Sequence, residues 1–104
     1  GGMTKRTAIA RAIALNPKYL FCDEPNSGLD PKTSTVIDQL IYEITKEYNI
    51  TTIVNTHDMN SVHAIGDKII YIHHGIKEWE GTSADLSQPN LPESVVHFIN
   101  AGRL

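Results

Sequence analysis

A chain of 104 residues with a formal net charge of -3 has room for one domain at most and buries only roughly two-thirds of its unfolded surface. There is no basic excess, so the electrostatic footprint of a nucleic-acid binder is missing. No run of about 18 apolar residues is present to span a bilayer, and no signal peptide is visible.

The first predicted element is a helix over residues 4–15, where Ala8, Ile9, Ala12, Ile13 and Leu15 recur at helical spacing between Lys5, Arg6 and Arg11. Asn16-Pro17 ends it. Gly1-Gly2 ahead of this helix would put backbone N–H groups at the positive end of its dipole, a seat for phosphate. A terminus that merely frays accounts for two glycines at least as well.

Tyr19-Leu20-Phe21-Cys22 then runs directly into Asp23-Glu24-Pro25. A short apolar run with aromatic members, bounded by turn residues, predicts a buried strand of a parallel sheet. Cys22, the single cysteine, reads as a reduced core residue of a cytosolic protein. Ionised groups are costly inside such a sheet, so Asp23 and Glu24 belong at its carboxyl end, facing a crevice. Neighbouring strand residues point to opposite faces, which predicts a division of labour. One division that fits is for Asp23 to hold a hydrated Mg2+ and for Glu24 to orient or deprotonate an attacking water. Asp-Glu-Pro by itself fits equally well a strand that happens to end in acids before a proline turn.

Asp30-Pro31 reads as a helix cap followed by proline at the first helical position. That helix extends to about residue 48, with Val36, Ile37, Leu40, Ile41, Ile44 and Tyr48 as one apolar stripe. Asn49 closes it. The β-branched run over 50–56 predicts a second parallel strand, which brings His57-Asp58 to the same carboxyl edge as the two acids. A lone histidine at a strand end is usually structural or simply exposed.

Asp58 is expected to cap a short helix with Met59, Val62 and Ile65 inward, stopped by Gly66. Strands over 68–73 and 76–80 flank His74-Gly75, a two-residue hairpin signal. Gly81-Thr82 opens a further helical turn with Asp85 at capping-box spacing, and Gln88-Pro89-Asn90 reads as loop. A last helix over 92–101 should bury Val95, Val96 and Ile99 and stop at Gly102. His63, His73, His74 and His97 have no metal-site spacing with Cys22 or with one another, so they are read as surface or packing residues.

Four motifs follow one another in a fixed order. They are Gly1-Gly2 with Lys5-Arg6 and Ala10-Arg11-Ala12, the apolar strand ending in Asp23-Glu24-Pro25, Ser27-Gly28-Leu29-Asp30, and Ile53-Val54-Asn55-Thr56-His57-Asp58. Together they resemble the ATPase subunits of ABC transporters over the whole chain. The resemblance implies an α/β fold, the C-terminal part of a P-loop NTPase domain. Its partial parallel sheet would be flanked by helices, with a C-terminal β-hairpin and short helices. Residues 1–104 would then be the C-terminal fragment of one ABC ATPase domain, a reading that Gly1 in place of an initiating Met also suggests.

The same resemblance implies roles. Asp23 and Glu24 end the Walker B strand as metal carboxylate and catalytic base. His57 is the switch histidine that hydrogen-bonds the γ-phosphate. Ser27 and Asp30 belong to the D-loop at a subunit interface, and Gly1-Gly2 form the tail of the signature motif. Implied with them are ATP and Mg2+, a homodimer about a two-fold axis, transmembrane permease subunits, and a place on the cytoplasmic face of the inner membrane.

Departures from the pattern bear on these roles. The Leu-Ser that usually precedes Gly-Gly is missing, and with it a phosphate-contacting hydroxyl; Met3 stands where Gln is commoner. No Gly-x-x-x-x-Gly-Lys-Ser/Thr occurs anywhere in the sequence, so the chain alone is expected not to hydrolyse ATP. In the family the adenine-stacking aromatic and the Q-loop glutamine lie upstream of the segment that this chain resembles.

Within the family, Gly-Gly-Met-x-Lys-Arg and the tail over 94–102 look most like one branch. It is the bacterial phospholipid-trafficking, organic-solvent-resistance ATPases that work with MCE-domain lipid-binding proteins. Two further readings are a truncated, non-catalytic chain and a soluble ribosome-associated ABC protein. The latter group typically has Thr-Asn-His-Leu-Asp at the D-loop, where this chain has Asn26-Ser27-Gly28-Leu29-Asp30.

Overall fold

The computed structural model describes residues 2–101. The expectations placed on Gly1 as a phosphate seat and on Gly102 as a helix stop lie outside them. The chain divides into two compact units, one ending at His57 and one beginning at Asp58.

In the first unit the order is α1 (Gly2–Ile13), β1 (Tyr19–Asp23), α2 (Pro31–Glu47) and β2 (Thr51–Asn55). β1 and β2 pair in parallel, Tyr19 opposite Thr51 through to Asp23 opposite Asn55. α2 supplies the crossover that parallel strands require. Hydrogen bonds extend the pairing at both ends, from Thr51 N–H to the Lys18 carbonyl (3.0 Å) and from Glu24 N–H to the Asn55 carbonyl (2.7 Å). The core of this unit is Ile9, Leu20, Ile37, Ile41, Ile44 and Ile50, and α1 packs on α2.

Two elements differ from expectation. α1 begins at Gly2, so this glycine is the first residue of the helix and does not precede it. At the other end the helix stops at Ile13, because Asn16 turns left-handed (φ 52°) and donates its N–H back to the Ile13 carbonyl (2.9 Å). Leu15 is consequently exposed and not part of the core. In α2 the buried face is Ser34, Ile37, Asp38, Ile41 and Ile44, while Val36 and Tyr48 are exposed. Spacings of three and four residues set that face, and Val36 and Tyr48 lie off it. Asp38 is held inside by the Asn26 side-chain amide, which donates to its Oδ1 at 2.7 Å.

Asn49 ends α2 as expected. It takes φ 52° and donates to the Lys46 carbonyl (3.4 Å), while Ile50 N–H reaches the Thr45 carbonyl (3.1 Å). This double closure satisfies the last carbonyls of the helix and turns the chain straight into β2.

The second unit runs α3 (Met59–Ile65), β3 (Ile69–His73), β4 (Ile76–Gly81), a 3-10 turn (Ala84–Ser87) and α4 (Glu93–Ala101). Asp58 caps α3 through its side chain, accepting from Asn60 N–H at 2.9 Å. β3 and β4 form an antiparallel hairpin of their own. His74 and Gly75 both have positive φ (51° and 76°), the backbone that a two-residue hairpin turn of matching twist demands. Asp85 and Thr82 make a reciprocal capping pair, Thr82 N–H to Asp85 Oδ2 at 2.8 Å and Asp85 N–H to Thr82 Oγ1 at 3.4 Å. In α4 only Val95 is buried, and Val96, expected inward, is exposed one step round the helix.

Candidate active site at the carboxyl edge of the parallel strands

The ends of β1 and β2 bring Asp23, Glu24, Asn55 and His57 to one edge. Asp23 and Asn55 are register partners on the exposed side of the pair. The Asn55 amide donates to Asp23 Oδ1 at 2.7 Å. Glu24 is the first residue past the strand and takes φ 48°, a left-handed conformation uncommon outside glycine, asparagine and aspartate. That turn carries its carboxylate to His57, whose Nδ1 lies 2.9 Å from Glu24 Oε1.

The peptide of Glu24 is held on both sides. Its N–H donates to the Asn55 carbonyl (2.7 Å), and its own carbonyl accepts from Ser27 N–H (3.1 Å) and from the Lys5 ammonium of α1 (3.5 Å). A second turn follows at once, with Leu29 N–H donating to the Asn26 carbonyl (3.1 Å) and Gly28 at φ 77°. A Cβ on Gly28 would meet nothing within 4 Å, so what keeps glycine there is the backbone angle and not space.

Asp30 occupies the cap position of α2 with extended backbone and Pro31 behind it, but its side chain makes no well-aligned cap bond. The nearby Thr33 hydroxyl chiefly holds its carboxyl below the usual range. Gly2 has a packing reason for its size, since a Cβ there would approach Thr33 Cγ2 to 2.8 Å. α1 therefore meets the first turn of α2 closely.

The residues expected to do chemistry thus fall into two groups. Asp23, Glu24 and His57 converge, and Ser27 bonds to Glu24 through the backbone. Gly2 and Asp30 flank the first turn of α2. Sequence reasoning missed Asn55 and Lys5. A polar residue closing an otherwise β-branched run, in step with Asp23, was the available signal for Asn55; Lys5 gave none. A groove of about 480 Å³ between α1 and α2, lined by Arg6, Thr35, Val36, Gln39, Leu40 and Glu43, includes none of the converging residues.

No group of three or more His, Cys, Asp or Glu among the described residues is arranged to hold a metal ion. Mg2+ in phosphate chemistry needs less, because one or two carboxylates suffice when water and substrate phosphates complete the shell. The exposed Asp23 carboxylate, one of its lone pairs taken by Asn55, fits that requirement as a single ligand.

The chain is 43% identical over 86 residues to the methionine import ATP-binding protein MetN of Carboxydothermus hydrogenoformans, covering 83% of this chain and 26% of that protein. It is 40% identical over 86 residues to the energy-coupling factor transporter ATP-binding protein EcfA2 of Bacillus licheniformis, covering 83% of this chain and 30% of that protein. The chain therefore spans less than a third of either relative.

Among solved structures, cbiO1 of Clostridium perfringens, part of the ABC transporter complex cbiONQ, superposes with a TM-score of 0.78 at 33% identity, covering 96% of this chain and 39% of that one. The ATP-binding cassette MJ0796, in a dimeric post-hydrolysis state bound to ADP and Pi, gives 0.68 at 41% identity, covering 78% and 34%. No family model matches.

These similarities do not support the phospholipid branch or an MCE-domain partner, since the relatives named are methionine-import and energy-coupling-factor ATPases. The residues behind that expectation carry little information. Met3 is 77% exposed, and residues 94–101 form an amphipathic helix whose pattern many sequences satisfy.

Proposed function

We propose a hydrolytic role for this chain, a segment of an ABC transporter ATP-binding subunit by the relatives and folds it matches: its β1–β2 edge supplies the groups that split ATP in a nutrient importer. The observation that carries this reading is the 2.9 Å pairing of Glu24 with His57 beside Asp23. Two carboxylates and an imidazole meet at the carboxyl edge of a parallel pair, where such sheets open their crevice.

Glu24 orients the attacking water and accepts its proton, with its carboxylate aimed by the left-handed turn. His57 contributes through its ring. In the neutral tautomer that donates from Nδ1 to Glu24, Nε2 is an acceptor. Contact with a phosphate oxygen then requires a proton on Nε2, or transfer of the single N–H from Glu24 to the phosphate. Asp23 is the residue that would hold Mg2+, which when bound neutralises charge on the phosphates. Ser27, Asp30 and the N-terminus of α1 around Gly2 serve at the face where a second copy completes the nucleotide site. The whole protein works as a dimer on permease subunits at the cytoplasmic face of a membrane. The sequence contains no phosphate-cradling loop, so the 104 residues alone do not turn over ATP.

In the intact subunit, Glu24→Gln retains ATP binding and loses hydrolysis, and His57→Ala loses turnover with a modest loss of binding. Removing a positioned acid–base group costs about 100-fold or more. Steady-state phosphate release within about threefold of wild type for either variant is incompatible with these roles.

A further inference from the structure

We infer that Asn55 is a positioning residue for the Asp23 carboxylate, an inference that rests on the reading of Asp23 as the metal-holding group. Its side chain and its backbone do different things at the same edge. The amide donates to Asp23 Oδ1 at 2.7 Å, and the carbonyl accepts from Glu24 N–H at 2.7 Å. One residue of β2 therefore ties down both the carboxylate that ends β1 and the backbone of the carboxylate residue that follows it.

An aspartate at the exposed end of a strand is otherwise free to rotate about its side-chain bonds. Asn55 occupies one lone pair of Oδ1, which fixes the carboxylate plane and leaves Oδ2 and the rest of Oδ1 for a cation. A donor that orients a ligating carboxylate characteristically tunes metal affinity and not fold, and its loss typically costs 10–100-fold in affinity or activity. The main-chain bond to Glu24 survives any substitution at 55, so a side-chain change isolates the Asp23 contact. Parallel pairing also makes this specific, because Asn55 stands directly opposite Asp23 in register and a one-residue slip would turn its amide to the other face.

The test is Mn2+ binding to the intact ATP-binding subunit with ADP present, read from the free-ion paramagnetic resonance signal, alongside affinity for metal-free ATP in a chelator and thermal melting. Asn55→Leu removes the donor at nearly constant shape, and Asn55→Val does so with a residue suited to strands. Asp23→Asn is the control. The expected result is weaker Mn2+ binding in Asp23→Asn and about tenfold weaker binding in both Asn55 variants, with metal-free ATP affinity and melting unchanged in at least one of them. If Asp23→Asn weakens Mn2+ binding and both Asn55 variants bind as wild type, the positioning role is overturned and the reading of Asp23 stands. If Asp23→Asn leaves Mn2+ binding unchanged, the reading of Asp23 fails and the inference fails with it. Parallel losses of Mn2+ and metal-free ATP affinity in both Asn55 variants would mark a purely structural residue and also overturn it.

Discussion

Glu24 combines a left-handed backbone, φ 48°, with a side chain bonded to His57. A non-glycine residue in that region costs of order 1–3 kcal/mol and persists only where its surroundings fix it. Here they are the Asn55 carbonyl, the Ser27 N–H and the Lys5 ammonium, all on the peptide groups of Glu24. The backbone angle directs the carboxylate to the ring of His57, so local strain and site geometry have one origin. Substitutions at this position should therefore separate chemistry from stability. Glu24→Gly, which relieves the angle, is expected to melt no lower than wild type, and Glu24→Val to be less stable than the glycine variant by roughly 1–3 kcal/mol. Both should be inactive. Denaturant unfolding of the intact subunit checks this, and equal stability of the two variants would show that the left-handed angle is not imposed there.

The hairpin and α4 are tied by one carboxylate. Glu78 Oε1 is 3.2 Å from His73 Nδ1, and the Ser94 hydroxyl in the first turn of α4 donates to Glu78 Oε2. The Ser94 bond first, and the His73 bond next, hold the Glu78 carboxyl below its ordinary range, with the charges of His73 and His74 adding to the effect. A carboxyl depressed in the folded state contributes stability above its unfolded pKa and loses it as pH falls through the folded value. The loss thus begins near pH 4.3, the usual glutamate value, and continues downward. Glu78→Gln should flatten that part of the acid-unfolding profile, followed by fluorescence of Trp79, the one tryptophan. Asp30 and Glu80, also held low, contribute alike to both proteins. Superimposable profiles would remove Glu78 from the account.

The positions of the strands, the hairpin turn and the cap of α3 were legible in the sequence because their causes are local: apolar and β-branched runs, His74-Gly75 and an aspartate before a helix. The burial expected of β1 was not met, since Tyr19 and Phe21 are exposed. The stripe of α2 was only partly legible. Asp38 is buried because Asn26, twelve positions earlier, reaches it, and no periodicity reports such a partner. Asp23, Glu24 and His57 could be found from their motifs. Asn55 left only a faint signal, a polar residue closing a β-branched run, since its partner depends on which residue of β1 the register sets opposite.

Over the whole chain, one face of the β1–β2 pair carries Tyr19, Phe21 and Ile53, which are 62%, 73% and 51% exposed. Phe21 and Ile53 are register partners, so the apolar surface is continuous across the strands. Each sheet among the described residues has only two strands and hence open edges with unpaired donors and acceptors. A two-stranded unit is marginal without further cover. The 104-residue chain by itself is expected to self-associate or pack loosely, as sedimentation and binding of an apolar dye would report. A monodisperse monomer with a sharp, reversible melt would contradict this. At the same scale, the proposed function makes Glu24 and His57 parts of one hydrolytic edge, and groups that act as a unit lose activity together. The most direct test is a double-mutant cycle on single-turnover ATP hydrolysis in the intact subunit, using Glu24→Gln, His57→Ala and both. The prediction is that each single variant falls about 100-fold or more and that the double variant falls little further. Losses that multiply, or a single variant that keeps wild-type turnover, would contradict it.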